Sequence, residues 1–288
     1  MHAELYTVSL LCKYLKVSRS GYYAYLKREP SLRRQANDEL VISIRDIHER
    51  SGQTYGSPKI HAALNQQDFP CSLGRVKRLM RLEGIYAQLG RKYKRRKASK
   101  HEIKTTENLL TKDQLGITHI NQVYYADITF IPTAEGWLYL AAVMDAYSRR
   151  IVGYAMQDNM RTDLIIQALR MAIRQRRPTP GLIHHSDRGS QYTSYAFARE
   201  LDAQGIRASF TAKGACLDNA YIESFFASLK KELVYRTTFE TREEARTVVF
   251  EYIHVTYNRF RLHSSLAYRS PETFESLESA RSLEKLAA

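Results

Sequence analysis

The run Val123-Tyr124-Tyr125-Ala126-Asp127-Ile128-Thr129-Phe130-Ile131 decides the fold. Seven of its nine residues are β-branched or aromatic, the composition of a strand packed on both sides. Working outward, Trp137 to Met144 follows a Glu-Gly turn and Ile151 to Met156 repeats the pattern, so three successive strands are expected. A helix then fits Thr162 to Arg176, capped by Thr162 and closed by Pro178 and Pro180. Leu182 to His185 reads as a short buried strand, Tyr195 to Ala203 as a helix ended by Gly205, and Arg207 to Phe210 as another strand. From Asp218 the chain reads as helix almost unbroken to Asn258. Strands first in succession, then alternating with helices, predict a mixed α/β sheet with helices on its faces.

Upstream the pattern is helical and the charge is concentrated. Residues 1–100 hold 21 Lys and Arg against 8 Asp and Glu, whereas the other 188 hold 23 against 22. A solubility charge would be spread evenly; an excess packed into one third of the chain is the footprint for a polyanion. Membrane-surface binding fits less well, since it calls for an amphipathic helix with exposed bulky apolar residues. Leu10 to Leu15 and Ser20 to Leu26 read as helix, turn, helix, and a longer helix runs from Leu32 to Arg50. A short one fits Lys59 to Asn65, with Ser57 as N-cap and Pro58 at the first helical position. Ser72 to Leu82 follows, ending at Gly84. It presents Arg75, Lys77, Arg78 and Arg81 on one side and Val76, Leu79, Met80 and Leu82 on the other. Such a helix suits the major groove as the second helix of a helix-turn-helix, and spacing alone serves a plain bundle with a solvated basic face equally well. Between 90 and 100, seven of eleven residues are Lys or Arg (Arg91, Lys92, Lys94, Arg95, Arg96, Lys97 and Lys100). That run is a linker too charged to fold alone and suited to tracking phosphates.

The composition of the 288-residue chain, 44% hydrophobic and 26% charged, is that of a globular protein with a sizeable core. Its longest apolar stretch, Trp137 to Met144, is far short of the roughly 18 residues of a membrane span. Lys13 and Lys16 interrupt the N-terminal apolar pattern and no small-residue cleavage site follows, so no secretory signal is expected. Cys12, Cys71 and Cys216 lie too far apart for a disulfide framework or a Cys-x-x-Cys knuckle.

An aspartate inside a strand needs a reason, and Asp127 is one. Asp187 ends Leu182-Ile183-His184-His185-Ser186-Asp187, just beyond a buried strand, where α/β sheets present functional groups. Glu223 lies one turn into the helix that begins near Asp218-Asn219. Three carboxylates from these positions can converge on hard divalent cations such as Mg²⁺. Residue type alone leaves helix caps or surface acids equally open. Lys230, two turns beyond Glu223, falls on the same helix face. His184 and His185 lack further His or Cys at ligand spacing, so strand-end packing is expected of at least one. Asp145 is expected in the turn before Ser148-Arg149.

The order and spacing of these acids, with 59 residues between Asp127 and Asp187 and 35 between Asp187 and Glu223, resemble the catalytic domain of the Asp-Asp-Glu transposases and retroviral integrases. The surrounding words are similar too: Asp127-Ile128-Thr129-Phe130, His184 to Tyr192, Asp218 to Phe226, Leu229-Lys230-Lys231-Glu232-Leu233, Tyr257-Asn258 with Arg261-Leu262-His263, and Ser270-Pro271. With Thr54-Tyr55-Gly56-Ser57 and Arg78-Leu79-Met80, they resemble the second-reading-frame (OrfB) product of bacterial insertion sequences over essentially the whole chain. Tyr124 stands where that group often has tryptophan, Phe210 where methionine is common and Leu262 where proline is common. None of these departures touches a carboxylate. No His/Cys spacing for an integrase-type zinc module is present.

The resemblance implies an RNase H-like catalytic core preceded by an all-α helix-turn-helix region. The expected division is 1–89 DNA-binding, 90–117 basic linker, 118–236 catalytic core and 237–288 C-terminal helical extension. It implies a DNA transposase in which Asp127, Asp187 and Glu223 hold two Mg²⁺, with Mn²⁺ as a substitute, to cleave element ends and join the 3′-hydroxyl to target DNA. Lys230 would orient the phosphate, and Arg188, Gln191, Lys213, Arg75, Lys77, Arg78 and the 91–97 basic run would contact DNA. Expected partners are double-stranded DNA (terminal inverted repeats and target), further copies of the chain on that DNA, and the first-reading-frame (OrfA) product. No membrane partner is expected, and the expected place is the bacterial cytoplasm at the nucleoid. The resemblance leaves one alternative, a DNA-binding regulatory fragment inactive without its first-frame partner.

Overall fold

The computed structural model of the chain describes residues 6–90, 109, 116–211 and 219–287. Its centre is a five-stranded sheet in the order β3-β2-β1-β4-β5. The first three strands, β1 (Val123–Thr133), β2 (Gly136–Asp145) and β3 (Ile151–Gln157), form an antiparallel meander. On the other side of β1, the short strands β4 (Ile183–Ser186) and β5 (Arg207–Phe210) run parallel to it. This is the RNase H-like mixed sheet, and it puts β1 in the middle.

Both faces of β1 are covered, which explains its nearly continuous apolar run. Val123, Tyr125 and Ile131 pack with Leu138, Leu140 and Ala142 under α8 (Ala220–Leu229) and α9 (Arg242–Glu251). Tyr124 and Ala126 face the other way, toward α6 (Thr162–Arg176) and α7 (Tyr195–Ala203). At Gly153 the sheet and α6 approach so closely that an added Cβ would lie 2.3 Å from the Ala168 carbonyl oxygen.

A second body precedes the sheet. Helices α3 (Leu32–Arg50), α4 (Ser57–Gln66) and α5 (Leu73–Leu82) enclose Leu40, Ile44, Ile60, Leu64, Val76 and Met80. Leu262, from the far end of the chain, completes that core. Ahead of it, α1 (Val8–Tyr14) and α2 (Arg19–Lys27) bury only Cys12 between them. The Ser18, Ser31 and Ser72 hydroxyls each accept a helix-opening N–H at 3.0–3.3 Å.

Four expectations need correction. Gly56, not Ser57, is the N-cap of α4, because Pro58 lacks an N–H and fits anywhere in the first turn. Arg161, not Thr162, occupies the extended cap position of α6, which has no side-chain cap; Asp163 in its first turn complements the helix dipole instead. Leu82 is exposed rather than part of the apolar side of α5. The helix expected from 218 to 258 is broken after a π-helical turn at Lys230–Val234 that continues α8. There Phe239 buries its ring in the core and its carbonyl accepts the Ala134 N–H at 2.9 Å, which tethers the β1–β2 hairpin. Thr241 then caps α9, its hydroxyl accepting from the Glu244 N–H. Beyond α9 a longer π-helical stretch, Tyr252–Phe260, leads to the closing helix α10 (Pro271–Ala287).

Candidate active site

Asp127 sits midway along β1, half-buried, with the Ile128 N–H donating to its Oδ1 at 2.7 Å. Asp187 follows the last residue of β4, the strand parallel to β1, and is exposed; the Gly189 N–H donates to its Oδ1 at 3.0 Å. Glu223 is exposed in the first turn of α8. Neighbouring strands thus supply the aspartates, and the helix across the sheet supplies the glutamate. Asp127 feels the charge of the other two acids. Burial pushes the Asp127 carboxyl up to about 7, helped by the Asp187 charge and, less, by Glu223; the Ile128 hydrogen bond and the Lys230 ammonium oppose this. Asp127 thus responds to both other acids and to Lys230, and a cap or surface acid does not describe it.

Carboxylate oxygens are a donor set suited in kind to a hard divalent cation. Among the described residues no group of three His, Cys, Asp or Glu side chains is already gathered closely enough to hold a metal. The histidines are packing residues, as expected. His184 is buried against Tyr192 and Phe197, and burial holds it down at about 3. His185 is hydrogen-bonded to Ser209 at 2.9 Å. Asp145 is the expected turn residue: fully buried, it accepts the Tyr147 and Ser148 N–H groups and, from the other side, that of Asn121.

The other expected contacts are placed unevenly. Lys230 stands with its Nζ 4.8 Å from the Phe130 ring centre. Arg188 donates its Nε to the Thr211 carbonyl at 3.1 Å and Gln191 its Nε2 to that of Met160, so both brace the loop after Asp187. Lys77 and Arg78 are exposed on α5, and Arg75 is tied through Nε to Asn37. Lys213, Arg91, Lys92, Lys94, Arg95, Arg96 and Lys97 lie outside the described residues. Sequence reasoning passed over the ring pair Phe130–Trp137, 4.8 Å apart beside Lys230, with Trp137 half exposed. The only tryptophan of the chain, in a strand next to a turn, was the available signal. It also passed over Arg149, stacked 3.4 Å above the Tyr221 ring on α8. A cleft of about 670 Å³ lies elsewhere, where α3 and α4 meet Phe260, Leu262 and Arg269. Among the described residues no helix is long and apolar enough to cross a membrane.

Comparison with known proteins gives this geometry its family. Residues 118–216 and 223–278 match two families each described as an integrase core domain, and residues 21–93 match an HTH-like domain. The chain is 40% identical over 264 residues to the insertion element IS600 31 kDa protein of Shigella sonnei, covering 92% of this chain and 97% of that one. It is 38% identical over 279 residues to transposase InsF for insertion sequence IS3A of Escherichia coli K12, covering 95% and 96%. Among solved structures it is similar to a simian T-cell lymphotropic virus intasome in complex with a PP2A regulatory subunit, at 15% identity and a TM-score of 0.46 over 81% of this chain and 74% of that chain. Identity of that order along nearly the full length of both chains means that this chain belongs to the insertion-sequence transposase family that includes InsF.

Proposed function

We propose that the chain cuts DNA at the ends of an insertion sequence and joins the freed 3′-hydroxyl to target DNA, with Asp127, Asp187 and Glu223 as the catalytic acids. The observation that carries this reading is the state of Asp127, a carboxyl placed inside a strand and pushed up to about 7 by burial and by the neighbouring acids. Such crowding costs stability and is tolerated where a cation is to be held. When bound there, Mg²⁺ (or Mn²⁺) would lower the pKa of a water and neutralise charge on both oxygens of an in-line displacement. The protein's own work is positioning: the acids fix the site on rigid elements, and Lys230 draws the scissile phosphate beside them. Residues 1–89 would grip the terminal inverted repeats through α5 with Arg75, Lys77 and Arg78. The basic 90–117 linker would follow the backbone, 118–236 would carry the chemistry and 237–288 would buttress it. Arg188, Gln191 and Lys213 would line the path of the DNA. Two ends must be brought together, so several copies assemble on DNA, with the first-frame product as a further partner, in the cytoplasm at the nucleoid.

The test is strand transfer by the purified chain with Mg²⁺ on labelled duplexes carrying the DNA that flanks its coding sequence. Wild type should give cleaved and joined products. Asp127→Asn should bind the duplex within a few-fold of wild type and give at least 10³-fold less cleavage. Mg²⁺ should also raise the melting temperature of wild type and not of the variant, because only wild type has the site to fill. Cleavage retained by Asp127→Asn would refute the assignment. Binding without cleavage in both proteins would favour the regulatory fragment that waits for its first-frame partner.

A further inference from the structure

Two residues from the sequence words quoted earlier, Glu232 beside Lys230-Lys231 and Arg261 beside Leu262-His263, play no part in the chemistry proposed above. The structure brings them together. Helix α8 carries Glu223 in its first turn, and its π-helical continuation carries Glu232. Arg261 closes on Glu232 as a fork, with Nε and Nη2 reaching the two carboxylate oxygens at 2.8–3.1 Å, both side chains nearly buried. Its Nη2 also donates to the Ser228 hydroxyl on α8 at 2.9 Å, and the Tyr252 hydroxyl donates to Glu232 at 2.8 Å. Burial would raise the Glu232 carboxyl, and the hydrogen bonds and charge of Arg261 more than offset it, holding it below the usual range.

The same arginine is bracketed by the helical body. Tyr55, in the turn between α3 and α4, donates its hydroxyl hydrogen to the Phe260 carbonyl at 3.0 Å and accepts the Leu262 N–H at 2.8 Å. One hydroxyl therefore clamps the backbone on both sides of Arg261, and Leu262 is then buried among the apolar residues of α3–α5. Lys59 on α4 feels both members of the ion pair and stacks over the Tyr55 ring at 4.8 Å. Two further ties run to the turn that continues α8. The Gly90 N–H donates to the Lys231 carbonyl at 2.8 Å, and Arg236 donates to the Gly52 carbonyl at 2.8 Å. Gly90 lies so close that an added Cβ would be 2.3 Å from the Tyr235 Cβ.

Fork-and-fork pairing of Arg with a carboxylate adds geometric definition more than stability. It ties the helix of Glu223 and Lys230, at its far end, to the body that carries α5. We propose that Tyr55, Glu232 and Arg261 are positioning residues that hold the helical body at a fixed offset from the acid group, so that where the body grips a duplex decides which phosphodiester bond reaches Asp127. This rests on the reading of the acids given above. A seam that merely aided folding would change how much protein is active; a seam that sets an offset changes where the cut falls.

The experiment compares wild type with Tyr55→Phe, which removes only the hydroxyl, and with Arg261→Lys, which keeps the charge and loses the fork. Full-length proteins are unfolded in a calorimeter, and cleavage of end-labelled flanking DNA in Mg²⁺ is mapped at single-nucleotide resolution. The expected results are one calorimetric transition for wild type and two for Arg261→Lys. Both variants should bind DNA within about three-fold of wild type, cleave about 10²-fold more slowly per folded molecule, and spread the cuts over neighbouring bonds. Cuts that stay at the wild-type bond, with losses matching the loss of folded protein, would overturn the proposal. If wild type cuts nothing, it is the reading of the acids that fails, and calorimetry still decides the seam: independent unfolding of the two bodies in wild type overturns it, and one transition that splits in Arg261→Lys upholds it.

Discussion

Asn258 shows what a single buried polar side chain does here. Its Oδ1 accepts the Ile151 N–H and its Nδ2 donates to the Ile151 carbonyl, both at 3.0 Å, so it pairs the first backbone groups of β3, an edge strand. Replacing it with Ala leaves those groups buried without partners, which costs about 1–3 kcal/mol. Urea unfolding of Asn258→Ala should show that loss with an unchanged m-value, and an unchanged midpoint would mean that water repairs the site. The sequence word Tyr257-Asn258 showed that this position was distinctive, but not why: its partner lies 107 residues away. Asp127 is the contrasting case. A charged residue amid strand formers betrayed itself in the sequence, because nothing local explains it. Asp145 was legible as a turn residue for the opposite reason, since its partners at Tyr147 and Ser148 are near in the chain.

Elements follow the same division. The limits of strands β1–β3 and of helices α3, α5, α6 and α7 read from composition and nearby Ser, Gly and Pro, all local physics, although the cap of α6 did not. The break after Val234 did not, because it is made by burial of Phe239 and by a hydrogen bond to Ala134 across the chain. The cap pair Thr241 and Glu244 was the local signal available for it. β3 and α6 are in close backbone contact. Gly153→Ala would drive a methyl group into the Ala168 carbonyl and the Ala172 N–H, 2.3 and 2.7 Å away. Backbone cannot give as a side-chain tip can, so the helix must lift from the sheet at a cost of roughly 1–3 kcal/mol. Thermal unfolding should fall by several degrees; a variant as stable as wild type would show that α6 is loosely seated.

At the scale of the whole molecule, buried ionisable groups set how stability changes with pH. His184 and His263 are both held at about 3, each by burial first and then by neighbouring positive charge. Their ordinary value is near 6.5, so between the two values the unfolded chain binds more protons and stability falls as pH drops. Asp127 has the opposite sign: raised to about 7, it takes up its proton in the folded state first and so favours folding as pH drops through that window. His254 is also held low by burial and Asp145 is also raised by burial, so the three histidines outweigh the two aspartates and stability falls as pH drops from roughly 6.5 toward 4. Below the ordinary carboxylate range the loss steepens, because Glu232 and Glu275, both held low by arginine partners, lose those ion pairs as pH falls through their folded values. Urea midpoints measured from pH 6.5 to 4 should therefore decline, and a flat profile would contradict the buried, neutral state of the two histidines.

What the sequence determined by itself was whatever depends on neighbours in the chain: the strand character of β1, most helix limits, the concentration of positive charge in residues 1–100, and the oddity of Asp127 amid strand formers. Only the tertiary structure decided that Asp127 is desolvated within the influence of Asp187, Glu223 and Lys230. It likewise decided that His184 and His185 are packing residues, that the run after Val234 breaks, and that Glu232 and Arg261 join the helical body to the helix of Glu223. The physical reason is range. Caps, turns and side-chain periodicity act within a few residues, whereas desolvation, charge coupling and a forked ion pair depend on groups that meet only after the sheet has closed.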